Sequence, residues 1–219
     1  MPSFFDTGHI RWCSCLFVAA LIAAFTFGLV TVWSAVLTMF LLLLAVPAWL
    51  ILVIAGGGIL SWHGLKDGAR LHGGQRIATM LAAPLLAVAT LALAVPAHFV
   101  GTHVGWLSKL AVNYWHYGAI VRDAEIRVAR GARDCCTSPD GELVYIDPGP
   151  PVRAAFDPQG LLDNWSGIVF DPSGDVMLAK GFNPITGTFA APERITKLFG
   201  GDLVGCRPLV GHYYVCSFT

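Results

Sequence analysis

Between Arg11 and Lys66 the chain runs for 54 residues without an Asp, Glu, Lys or Arg, and only His63 there can gain a charge near neutral pH. As a single helix that stretch would be ~80 Å long at ~1.5 Å per residue. A bilayer's hydrocarbon core is only ~30 Å thick, so the stretch must cross twice. The first span is expected over about residues 13–32 and the second over about 35–55. The turn between them falls near Trp33-Ser34, where an indole suits the membrane interface. A second charge-free run, Ile77–Ser108, supplies a third span at about 77–100. Pro47, Pro84 and Pro96 lie inside these runs, and membrane helices accept proline because neighbours re-satisfy the freed carbonyls, so kinks are expected and not breaks.

Composition agrees. Hydrophobic residues make up 55% of the 219 and charged residues 13%, about half the share a soluble domain needs to cover its surface. Mean hydropathy is +0.64. These values exclude a disordered chain, a collagen-like repeat, a coiled coil and a strongly basic nucleic-acid binder. The net charge of zero hides a division: residues 1–118 carry +3, residues 119–219 carry −3, and 21 of the 28 charged residues fall in the second part. The chain therefore reads as a membrane region, 1–118, followed by a soluble domain, 119–219.

The first apolar segment exceeds the 7–15 residues of a secretory leader and has no small-residue cleavage site before the second span, so it reads as an uncleaved anchor. With the N-terminus and the 56–76 loop on one side, that side holds Arg11, Lys66, Arg70 and Arg76, while Lys109 alone lies near the spans on the other. The positive-inside rule then puts the N-terminus in the cytoplasm and the C-terminal domain outside, as for a bacterial inner-membrane protein with a periplasmic domain. Arg122, Arg127, Arg130 and Arg133 would reverse that count if the third span ended later. Four cysteines in the soluble part, Cys135, Cys136, Cys206 and Cys216, suit an oxidising compartment.

After the third span, Leu107, Leu110, Ala111, Tyr114 and Gly118 share one helical face, and Trp106, Tyr114, Trp115 and Tyr117 crowd together. This predicts an interfacial helix over 104–118 or the emerging end of the third span, acting as a membrane collar or, in a second reading, as a groove for lipid or a partner. From Ala124 the period changes: Ile126 and Val128 alternate with Glu125 and Arg127, which predicts a strand. Short apolar runs follow at 143–146, 167–170, 176–179, 203–206 and 212–218. Phe170-Asp171-Pro172-Ser173-Gly174-Asp175-Val176 predicts a hairpin with a four-residue loop, and Phe156-Asp157-Pro158-Gln159-Gly160 a similar turn. Pro192 at a first helical position, Glu193 behind it and Gly200 as terminator predict a helix over 192–199. The expected fold is thus an α-helical membrane region of three transmembrane helices followed by a small α+β, mainly antiparallel β, extracytoplasmic domain of five or six strands with one helix.

Chemistry is sparse. The vicinal pair Cys135-Cys136 either forms a strained redox ring or bridges to Cys206 and Cys216; no Cys-x-x-Cys motif accompanies it, and Asp134 beside it disfavours a reactive thiolate, so bridging is expected. His98, His103 and His116 are weak metal candidates, since none pairs at helical i, i+3 or i, i+4 spacing and no carboxylate lies among them. Neither a phosphate loop, a nucleophile elbow nor a calcium loop is present. No catalytic residue and no cofactor is indicated. Trp165, Tyr213 and Tyr214, with Trp106 and Trp115, are the candidate partner-binding aromatics. The function expected is non-enzymatic: an accessory or assembly subunit of a membrane complex, contacting membrane lipid and another membrane or periplasmic protein. Alternatives are an immunity protein against a membrane- or periplasm-acting toxin, and a redox- or metal-linked membrane enzyme. Transport is disfavoured, because the spans contain no Asp, Glu, Lys or Arg to couple it.

Overall fold

A computed structural model of the chain describes residues 8–131, 143–161 and 164–219. Residue contacts divide it into two units, 1–105 and 106–219.

The first unit is helical. Helix α1 spans Gly8–Thr31 and ends at a tight turn. Ser34 caps the next helix, accepting from Leu37 N–H, while the Thr38 hydroxyl donates to Thr31 O at 2.8 Å and closes the corner. Helix α2 (Ala35–Phe40), a π-helical turn (Leu41–Ala45) and helix α3 (Val46–Gly68) follow without interruption. The second rod thus runs 13 residues beyond the expected end at Ala55. Gly56-Gly57-Gly58 does not break it, because a glycine is tolerated in a helix that has tertiary packing, and at Gly57 an added Cβ would stand 3.2 Å from the Ala87 methyl. The third long helix, α4, spans Gly73–Ala129. Among the described residues, three helices are therefore long and apolar enough to cross a membrane.

Where α1 meets α4, side chains have been removed from the contact. A Cβ built on Gly28 would overlap His98 O, one on Gly101 would overlap Phe25 O, and one on Gly105 would press on Val32 and Leu29. Gly101-x-x-x-Gly105 thus forms a small-residue face on which α1 lies at backbone distance, the way membrane helices associate where no hydrophobic effect drives them together.

In the second unit residues 106–118 are helical, and the strand expected from Ala124 is replaced by a continuation of that helix. Residues 106–129 are the last part of α4. Trp106, Leu110, Tyr117, Val121 and Ala124 are buried at helical spacing, and Arg127 pairs with Asp123 one turn earlier at 2.6 Å. The apparent alternation of Ile126 and Val128 was too short to distinguish the two periods.

The sheet is antiparallel throughout, in the order β1-β2-β3-β7-β6, from β1 (Val144–Asp147), β2 (Arg153–Leu161), β3 (Asn164–Phe170), β6 (Leu203–Pro208) and β7 (Tyr213–Phe218). A two-stranded ribbon, β4 (Phe182–Asn183) with β5 (Thr188–Phe189), stands apart. Helix α5 (Glu193–Thr196) and a 3-10 turn (Leu198–Gly200) occupy the region expected to be helical. Both sheet faces are covered. Ala155, Val169, Tyr214 and Cys216 point to a core with Val176, Ile195, Leu198 and Leu203. On the opposite face Phe156 and Ile168 are register partners, as are Ile168 and Val215, and Phe156 stacks on Tyr117 of α4 with ring centroids 4.2 Å apart.

Two turn expectations are corrected. Asp171–Val176 is not a hairpin loop: β3 pairs with β7, and Asp175–Leu178 is a 3-10 turn in place of a strand. Asp157-Pro158 lies inside β2, at a bulge between Phe156 and Gln159. The disulfide pairing is also corrected. Cys206 and Cys216 bond to each other across the β6–β7 register, so neither is available to Cys135 or Cys136, which lie outside the described residues.

Candidate binding surface of the second unit

The geometry here begins with a buried charged side chain. Lys109 is buried, with 5% of its surface exposed. Its ammonium lies 3.4 Å from Asp157 Oδ2 and 5.6 Å from the Trp106 ring centroid. The Tyr117 hydroxyl donates a hydrogen bond to the same Asp157 oxygen. Asp157 sits at φ +49°, a left-handed conformation that Asp tolerates better than most residues. The bulge turns its carboxylate out of the strand alternation and onto α4, a use to which β-bulges are often put. A buried ammonium without a counter-charge would be very costly, so the Asp157 carboxylate helps to hold residues 106–129 on the sheet.

A second charged cluster holds the far end of the sheet. Arg153, 2% exposed, uses its whole guanidinium: Nε to Asp171 Oδ1 at 3.1 Å, one terminal nitrogen to Asp147 at 3.1 Å, the other to Ser173 Oγ and Asp175 at 3.2 Å each. Asp171, fully buried, also accepts from Ser173 N–H and Val176 N–H and so shapes the 3-10 turn. Asp175 is gripped from outside by Arg194 through two hydrogen bonds of 2.7 and 2.6 Å. Those bonds, with the Ser173 hydroxyl and the nearby Arg153 charge adding to them, hold its carboxyl down at about 2. Every polar group in the cluster has a partner, which is the signature of a structural tie.

Of the aromatics singled out in the sequence, the structure brings few together at a surface. Tyr213 and Tyr214 are buried on opposite faces of β7, Tyr213 against Tyr114 and Phe170, Tyr214 in the main core. Burial raises the Tyr213 hydroxyl above its usual pKa. Trp165 stacks on Phe218 with centroids 4.0 Å apart and belongs to the edge of that core. Trp106 is buried beside Lys109. Trp115 alone stands out, 81% exposed, with Val112 and Ile126 also exposed at helical spacing from it. Val112, Trp115, Ala119 and Ile126 form an uncovered stripe on α4, while Tyr117 and Ala124 of the same helix are buried. Helical phase was the signal that could have found it, since residues 115 and 117 lie ~160° apart around the axis.

His98 and His103 lie in the first unit's part of α4, and His116 lies beside Tyr117 in the second. Among the described residues no three His, Cys, Asp or Glu side chains come together as a metal site. Comparison with known proteins finds no matching family model, no similar curated protein and no similar solved structure.

Proposed function

We propose that the chain is a membrane-anchored binding protein, an accessory or assembly subunit that docks another membrane or periplasmic protein on the exposed stripe of α4. The observation that carries this is Trp115. A tryptophan left 81% exposed, flanked by Val112 and Ile126, has the chemistry of an interface anchor. The helix bearing it is held from behind by Lys109, Tyr117 and Phe156, so little ordering is left to be done on association. The Cys206–Cys216 bond and the positive charges around the N-terminal half support a cytoplasmic N-terminus and an extracytoplasmic sheet unit, as in a bacterial inner membrane.

The test is purification of the wild-type chain and Trp115→Ala from the native membrane in mild detergent. Wild type is expected to retain a stoichiometric protein partner that Trp115→Ala loses, with both giving the same circular dichroism. A partner held equally by both, or none held by wild type, overturns the reading.

A further inference from the structure

The soluble half carries 21 of the chain's 28 charged residues, yet the twelve residues 181–192 carry none. They hold the two-stranded ribbon, β4 with β5, and the turn 184–187 that joins its strands. The ribbon is built as a finger. Phe182 faces Phe189 across the ladder with ring centroids 5.3 Å apart, a cross-strand pair that stiffens the base. Phe182 is 55% exposed, and at the tip Ile185 is 93% exposed.

One bare apolar side chain is ordinary on a protein surface. What sets this tip apart is where its polar groups point. Pro184 has no N–H to satisfy. Ile185 N–H donates to Asn183 Oδ1 and Gly187 N–H to Asn183 O, each at 2.9 Å. The Thr186 and Thr188 hydroxyls bond to each other, also at 2.9 Å. Groups that water would satisfy are thus paired inside the turn, which is the condition for bringing backbone into an apolar medium. A protein partner gains from donors and acceptors left free at a contact, whereas acyl chains penalise them.

Length and charge agree with a lipid surface. From Phe182 to Ile185 the ribbon advances up to about 10 Å at ~3.3 Å per residue, the depth that interfacial elements reach into the headgroup and acyl boundary. Lys180, two residues before Phe182, is exposed and in no ion pair among the described residues, so its ammonium is available to lipid phosphates at the finger's base. The chain's own apolar helices keep a bilayer at high effective concentration, so a weak insertion suffices.

We propose that the β4–β5 finger dips into the bilayer surface, with Phe182 and Ile185 among the acyl chains and Lys180 at the phosphates. Trp115 has no part in this contact.

The full chain is made with the photoreactive amino acid p-benzoylphenylalanine in place of Ile185 and irradiated in its native membrane. Leu143 is the comparison position: it is 53% exposed and adjoins β1, the sheet edge opposite β6, whereas the finger starts beside β6, a Cβ on Gly181 standing 3.7 Å from Val204 O. Mass spectrometry of the tryptic peptide 181–194 should find phospholipid attached at position 185, in a yield at least about tenfold above that at 143, as expected for a fully buried isoleucine-sized group. Thr186→Asp, which brings a charge to the tip and leaves the aromatic pair intact, should cut the yield at 185 several-fold. A protein attached at 185, equal lipid yields at 185 and 143, or no adduct at 185 would each overturn the proposal.

Discussion

Asp175 holds a position between two arginines that differ in kind: Arg153 is buried, Arg194 exposed. Because its carboxyl titrates at about 2 in the folded protein, against an ordinary 3.8, the folded state prefers the ionised form. The stability this contributes is complete above about pH 4 and is lost as the pH falls through about 2. Acid unfolding of the purified protein, followed by far-ultraviolet circular dichroism, should therefore show stability dropping between those values. Asp175→Asn should be less stable at neutral pH and flatter across that interval; an unchanged acid limb in the variant would assign the drop to other carboxylates. The acids of this cluster were legible only as turn residues. Asp171 and Asp175 bracket a turn in sequence, but their common partner Arg153 is about 20 residues away, and no local pattern announces a pairing across strands.

At the scale of elements, the membrane helices were the most legible part, since hydropathy alone dictates them, and the sheet was legible where one face dominated. The missed strand, β2, contains Asp157-Pro158 within a bulge, so its turn-forming residues masked it. Strand β3 showed an unbroken Gly167–Phe170 run because both of its faces are covered, so it could be found but not assigned a face. The α1–α4 contact went unread because it is made by what is missing, the side chains of Gly28, Gly101 and Gly105. Its importance can be measured. Gly101→Val should destabilise the helical unit by about 1–3 kcal/mol, since backbone oxygen stands where its Cβ must go. Gly58→Ala, with open space around it, should be neutral or stabilise by up to about 1 kcal/mol. Reversible unfolding in mixed micelles titrated with dodecyl sulfate gives both values, and equal effects of the two substitutions would dismiss the close-contact account.

For the whole molecule, the question is how much of the second unit's stability depends on the membrane. Its main core, its Arg153 cluster and its Lys109–Asp157–Tyr117 contact are all built from residues beyond 105. Its disulfide closes a short loop, ten residues apart in sequence, where the chain-entropy argument allows about 2–3 kcal/mol. A fragment of residues 106–219 sent to an oxidising compartment should therefore fold without the preceding 105 residues and melt in one cooperative transition. Replacing Cys206 and Cys216 together by alanine should lower its stability by that amount, and leave the sheet in place. The isolated fragment should also self-associate more than its Trp115→Ala variant, because the stripe around Trp115 remains uncovered. A fragment without a cooperative melt would mean that α4 must be held by the membrane half before the sheet can form on it, and the two units would then fold as one.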